Sequence, residues 1–261
     1  MKKQTIILSL TLFSILVSAC SGNKNNKDYK KGWTLAWEET FKSGKLSDES
    51  WCTMSPSKKN LEKYMNDDPA LYVFQDKKLV LRGYSVVKGD HKIFKTGGIT
   101  TKGKKSFRNG RIEVRTKLNP APGTSVFIKL LPTDEAKNVS VNLMEHFSKD
   151  KFVYHSLSSD YTTDGGMVDN PPSNVLVNAD PVDYHTYAVE MYADSVVFFI
   201  DNTHTKTYPR INPEVEGQFP FFDRDFFLSI GVAIYSEEQL TEKPIDMFID
   251  RIRYYTREEE Q

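Results

Sequence analysis

Cysteine is nearly absent from this 261-residue chain, with Cys20 and Cys52 as its two thiols. A framework of several disulfides is therefore excluded, and stability has to come mainly from buried apolar area. Net charge is absent too: 35 basic residues balance 35 acidic ones. No global field draws in nucleic acid or an anionic membrane, so a partner is neutral or read by local charge. Sustained helical periodicity, heptads and internal repeats are missing, which excludes helix bundles, coiled coils and solenoids. No histidine and cysteine cluster has metal-ligand spacing. What is present, 39% hydrophobic and 12% aromatic residues, is enough for one sizeable core and one domain.

The one long apolar run, from Thr5 to Val17, follows Lys2 and Lys3 and is short for a membrane span. It ends in Val17-Ser18-Ala19-Cys20, which looks like a bacterial lipobox, in which small residues admit the processing peptidase and the Cys thiol takes the lipid. The organisation expected is a signal peptide over 1–19, a lipidated tether over 20–32, a folded domain over 33–257 and a polar tail over 258–261. The tether assignment rests on Asn, Lys and Gly without apolar periodicity. This predicts a monomer at the bacterial cell envelope, held to the membrane through Cys20. An ordinary signal peptide that ends near a Cys is the alternative. With Cys20 acylated, Cys52 beside Trp51 reads as a small buried apolar residue.

Short alternating or β-branched stretches separated by Gly, Pro, Asn and Asp predict an all-β sandwich. The expected strands are Leu71–Phe74, Lys78–Gly83, Arg111–Leu118, Ser125–Leu131, Val139–Phe147, Phe152–Ser156, Thr186–Met191, Val196–Ile200, Phe226–Ala233 and Met247–Tyr254. In the third of these, alternation puts Arg111, Glu113, Arg115 and Lys117 on one wet face and Ile112, Val114 and Leu118 in the core. Spacing alone leaves open whether that face is a salt-bridged ladder or a binding surface. The irregular stretch from Ser158 to Asp183 is long enough to form the rim of a site.

Several segments together resemble glycoside hydrolase family 16, the laminarinase, lichenase, agarase and carrageenase family. They are Gly32-Trp-Thr-Leu-Ala-Trp-Glu-Glu-Thr-Phe41 with Leu46–Trp51, the run Gly97–Leu118 containing Gly110-Arg-Ile-Glu-Val-Arg115, Tyr184–Tyr192 with Val196–Asn202, and Met247–Tyr254. The resemblance implies a concanavalin A-like jelly-roll sandwich of two curved antiparallel sheets, with a polysaccharide groove on the concave face and with Glu113 and Arg115 in that groove.

A retaining glycosidase of this kind needs two carboxylates about 5–5.5 Å apart. The family pattern Glu-x-Asp-x-x-Glu supplies them, a bulge bringing the last residue onto the face of the first two. The matching stretch is Val139-Ser-Val-Asn-Leu-Met-Glu145. Ser140 stands at the nucleophile position, Asn142 at the tuning Asp and Glu145 at the acid/base. Only one carboxylate is kept, so the usual route is impaired. Lys129 and Ser125 stand where stacking Trp residues are usual. Lys129 joins Glu113 and Arg115 as a candidate sugar contact, and the remaining Tyr and Phe residues read as core.

His146, His155 and His185 read as structural histidines. Asp250 matches a calcium ligand of some family members, whereas Thr40 replaces an acidic one; no other cofactor is implied. The leading expectation is an envelope lipoprotein that binds a β-glucan or galactan without cleaving it. An active glycosidase pairing Glu145 with another carboxylate, such as Glu113 or one between Ser158 and Asp183, is a second reading, and a structural envelope protein without glycan ligand is a third. The cations Arg111, Arg115, Lys117 and Lys129 either favour an anionic polymer or are mutually paired.

Overall fold

The computed structural model describes residues 32–57, 62–163, 170–240 and 242–257. The signal, Cys20 and tether assignments, the 258–261 tail and residues 164–169 of the irregular stretch lie outside the described residues.

In chain order the strands are β1 Trp33–Glu39, β2 Cys52–Thr53, β3 Tyr72–Gln75, β4 Lys78–Lys88, β5 His91–Thr96, β6 Gly98–Thr100, β7 Phe107–Arg108, β8 Gly110–Asn119, β9 Thr124–Pro132, β10 Ser140–Phe147, β11 Phe152–Ser158, β12 Asn174–Asn178, β13 His185–Met191, β14 Ser195–Ile200, β15 Thr203–Pro209, β16 Asp225–Ile234 and β17 Ile245–Arg257. Every strand expected from the alternation is among them. The Ser158 to Asp183 stretch is less irregular than expected: it contains a short helix, α1 Asp160–Thr163, and β12, whose Asn-Val-Leu-Val-Asn sequence alternates.

Two antiparallel sheets result. A nine-stranded sheet runs β15-β14-β13-β8-β17-β4-β3, with β1 added to β17 and β5 to β4. An eight-stranded sheet runs β12-β11-β10-β9-β16-β6-β2, with β7 added to β16. Their inner faces share one core: Ile112, Val114, Tyr187 and Val189 from the first sheet meet Val126, Ile128, Leu130, Val141 and Leu143 from the second. Alternation sends one residue in two into that layer, and each large side chain so buried contributes about 1.5–3 kcal/mol. The same alternation leaves each sheet an outer face, and β10 presents its polar residues on the outer face of the eight-stranded sheet. The strand pattern implied a sandwich, and the jelly roll is the one that the family resemblance implied.

Candidate functional site

On β10, Val141 and Leu143 belong to the core, so Ser140 and Asn142 point outward. Simple alternation would then turn Glu145 inward, but the pairing with β11 is interrupted. Asn142 lies opposite Ser156 and Glu145 opposite Tyr154, so Leu143 and Met144 together face His155. This bulge restores Glu145 to the outer face. The side chains meet there: Asn142 Nδ2 donates to Ser156 Oγ at 2.7 Å, and Ser156 Oγ donates to Glu145 Oε2 at 3.0 Å. His155 holds the bulge from within. Its Nδ1 donates to the Leu143 carbonyl at 2.6 Å, and its ring stacks on Phe198 with centroids 5.0 Å apart. Burial pushes its pKa down to about 4, so the imidazole stays neutral.

Rows across the sheet define the rest of the floor. Beside Glu145 lie Phe127, then Gly231, then Gly98; beside Asn142 lie Lys129, Ser229 and Thr100. The first row is covered on the β9, β16 and β6 side. Met54 and Met65 form a small apolar cluster with Phe127 and Ala233, separate from the main core. A Cβ at Gly98 would sit 2.8 Å from Met65 Sδ and 2.9 Å from Met54 Sδ, and one at Gly231 2.9 Å from Met65 Cε, so both positions must stay glycine for the methionines to lie this close.

In the second row, Lys129 Nζ lies 4.3 Å from the Phe127 ring centroid and 3.6 Å from Glu62 Oε1. Glu62 is only 8% exposed and accepts a 2.7 Å hydrogen bond from Ser57. Ser140 opens onto a depression of about 570 Å³, shared with Leu131, Asn138 and Phe227. Asn138 Nδ2 in turn donates to Asp160 Oδ1 at 3.1 Å.

Ser140, Asn142, Glu145 and Lys129 are thus brought together. Glu113 and Arg115 are not: they lie on β8, in the other sheet, with Ile112 and Val114 turned into the core between the sheets. The groove role that the family resemblance implied for them is corrected, because β8 and β10 belong to different sheets. Their strand is a salt-bridged ladder. Arg111 is 1% exposed rather than wet and pairs with Glu113 at 2.6 Å and Glu190 at 2.8 Å, while Lys117 lies over Tyr184 and Phe248.

Arg115 pairs with Asp250 at 2.9 Å, and Lys78 approaches the same carboxylate at 3.8 Å. The surrounding depression also holds Glu38, which pairs with Arg253, and Asp76, together with the cations Lys42, Lys77 and Arg251. A calcium ion needs several anionic or carbonyl oxygens, and these residues do not fit one: the Asp250 carboxylate is already neutralised by protein cations. Among the described residues no group of three His, Cys, Asp or Glu could hold a metal. His146 Nε2 meets the Asp150 carbonyl at 2.8 Å, and His185 meets Asp201 at 2.6 Å and the Asp180 carbonyl at 3.1 Å. Cys52 is half-buried in β2 rather than fully buried.

Sequence reasoning missed two features of the site face. Glu62 sits in a stretch without alternation, which gives no signal. Phe147 and Tyr154 are half-buried and Tyr235 is 42% exposed, so these rings are not core. Phe147 is two residues beyond Glu145 on the same strand, and Tyr154 is Glu145's cross-strand partner, so the period of two already placed both beside it.

The family model of glycosyl hydrolases family 16 matches residues 49–247. A keratan-sulfate endo-1,4-beta-galactosidase from Sphingobacterium multivorum is 26% identical over 85% of this chain, which spans about half (55%) of that protein. The laminarinase of Rhodothermus marinus superposes with a TM-score of 0.75 at 20% identity, over 87% of this chain and 98% of that one. A second solved structure is a glutamate-to-serine variant of a non-specific endo-beta-1,3(4)-glucanase. It has a TM-score of 0.74 and 20% identity over 87% of this chain and 96% of that one, and it presents 1,3-beta-D-cellobiosyl-glucose at its active site. The two-sheet sandwich, the bulged β10 and the family match over most of the domain agree: the chain belongs to glycosyl hydrolases family 16.

Proposed function

We propose that this family 16 domain binds a β-linked polysaccharide and has lost the retaining hydrolysis of its relatives, and that it does so as a lipoprotein of the bacterial envelope, anchored through Cys20. The observation that carries the reading is the Asn142–Ser156–Glu145 chain. It brings Asn142 and Glu145 onto one face, as the family spacing expects, and this supports the reading of Ser140 as the residue at the nucleophile position. A serine hydroxyl without a base is a poor nucleophile, and the Asn142 amide carries no charge to tune Glu145. Glu145 is left as an acceptor for sugar hydroxyls. The glutamate-to-serine glucanase variant, which presents an oligosaccharide at its active site, supports glycan binding by a domain of this fold with serine in place of a glutamate. Purified protein should be retarded in gels containing laminarin, lichenan, agarose or keratan sulfate while releasing no reducing ends. Steady release abolished by Glu145→Gln overturns the reading.

One observation favours residual enzymatic activity. Glu62, held beside Lys129, and Asp160, held by Asn138, are carboxylates near the site that the family pattern does not include. An inverting pair needs about 6.5–9.5 Å between carboxyl groups to admit water. Reducing-end release lost in Glu62→Gln or Asp160→Asn would assign the second carboxylate.

A further inference from the structure

Ser125 occupies a position where the family resemblance puts a stacking aromatic, and the side chains around it are unusual. Its register partners are Phe147 on β10 and Ala233 on β16. Tyr235 follows β16 immediately, and its ring centroid lies 5.7 Å from that of Phe147 at an interplanar angle of 86°. Tyr154 meets the same Phe147 ring at 5.8 Å and 72°. Rings therefore rise from both sides of a serine that is 1% exposed and whose Oγ has no hydrogen-bond partner among the described residues. An edge-to-face contact uses the face of only one of its two rings, so these two contacts do not by themselves close the three rings to a ligand. Tyr235 is also held in place: its backbone N–H donates to the Gly123 carbonyl at 3.0 Å and its hydroxyl to Gln239 Oε1 at 3.0 Å.

We propose that Phe147, Tyr154 and Tyr235 form a displaced sugar platform, against which one pyranose unit of a β-linked glycan packs its apolar C–H face while Glu145 accepts a hydroxyl. The proposal rests on the glycan-binding reading above and places the sugar within it. A pyranose pairs an apolar face with a rim of hydroxyls, and this patch pairs three partly exposed rings with the Glu145 and Ser156 oxygens. The Phe127 side of Glu145 offers no such platform, because Met65 covers Phe127. The glycan therefore leaves Glu145 toward Phe147 and Tyr154.

The test is affinity electrophoresis in laminarin, lichenan, agarose and keratan sulfate with the full folded domain and its Tyr235→Ala, Tyr235→Leu, Tyr235→Phe and Tyr154→Ala variants. Circular dichroism and thermal melts confirm their fold. In whichever polysaccharide retards the unaltered protein, both alanine changes and the leucine change weaken retardation about tenfold, a loss of about 1.4 kcal/mol, whereas Tyr235→Phe keeps it. Quenching of tyrosine fluorescence by that polysaccharide falls in parallel. Tyr235→Leu keeps apolar bulk without a ring, so unchanged retardation in it and in Tyr154→Ala overturns the platform and leaves glycan binding standing elsewhere on the domain. Failure of all four polysaccharides to retard the unaltered protein overturns the binding reading and the platform together.

Discussion

The outer faces of the two sheets both carry polar residues, yet they are built for different ends. On the nine-stranded sheet the charges are consumed: Arg111 by Glu113 and Glu190, Arg115 by Asp250, Arg253 by Glu38. On the eight-stranded sheet the polar groups around Glu145 are short, linked in a chain, and flanked by partly exposed rings. A face of paired charges has little left to offer a sugar. Acceptors beside apolar rings match a pyranose. Substitutions on the two faces should separate accordingly.

The largest effect is expected on the charged face. Arg111→Ala removes the cation between Glu113 and the buried Glu190, costing about 3–5 kcal/mol in urea unfolding. Glycan affinity of the folded fraction should be unchanged; loss of affinity at retained stability would break the division.

Next comes acidification, which acts on the bulge. His155 has a folded pKa of about 4 against 6.5 for the free side chain. Between these values the unfolded chain binds a proton that the folded one does not, so stability rises with pH across the window. The His155 contribution is complete above pH 6.5 and falls by about 3 kcal/mol on descending to pH 4. Burial lowers the His146 pKa in the same direction. Denaturant midpoints measured across this range on the unaltered protein and on His155→Gln should show a flatter profile in the variant.

Smaller again is Glu145→Gln, which keeps the side-chain shape and an acceptor for Ser156 but removes the charge. It should weaken polysaccharide retardation several-fold, about 1 kcal/mol for the difference between a hydrogen bond to a charged acceptor and one to a neutral acceptor. The smallest effect is Arg115→Ala, which breaks a partly exposed ion pair worth less than about 1 kcal/mol and leaves retardation in every gel as it was. A strong effect of Arg115→Ala on affinity would return this strand to the binding surface.

Much of this was legible before any coordinates. Period-two runs placed the long strands, because each buries one face in a shared core. The two- and three-residue strands β2, β6 and β7 are too short to show a period, and the His-Lys-Ile-Phe-Lys-Thr of β5 and Thr-His-Thr-Lys-Thr-Tyr-Pro of β15 have no clean one. Within the site, the shared face of Ser140, Asn142 and Glu145 followed from the family spacing with its bulge. The groove role of Glu113 and Arg115 came from the family resemblance, where the alternation of their strand had left a ladder and a binding surface both open. Alternation tells which residues leave the core, but long-range pairing decides to which sheet they belong, and β8 pairs with β13 and β17 rather than with the β10 sheet. The Phe147 and Tyr154 rings were hidden for the opposite reason: composition suggested core, and their phase with Glu145 said otherwise.

The most direct test of a retained groove with a missing nucleophile is restoration. Reducing-end release from laminarin, lichenan, agarose and keratan sulfate would be followed for the unaltered protein and for the Ser140→Glu, Asn142→Asp double variant. The account predicts no release from the first and measurable release from the second, abolished again by adding Glu145→Gln. Steady hydrolysis by the unaltered protein, left intact or reduced by the two substitutions, would contradict it.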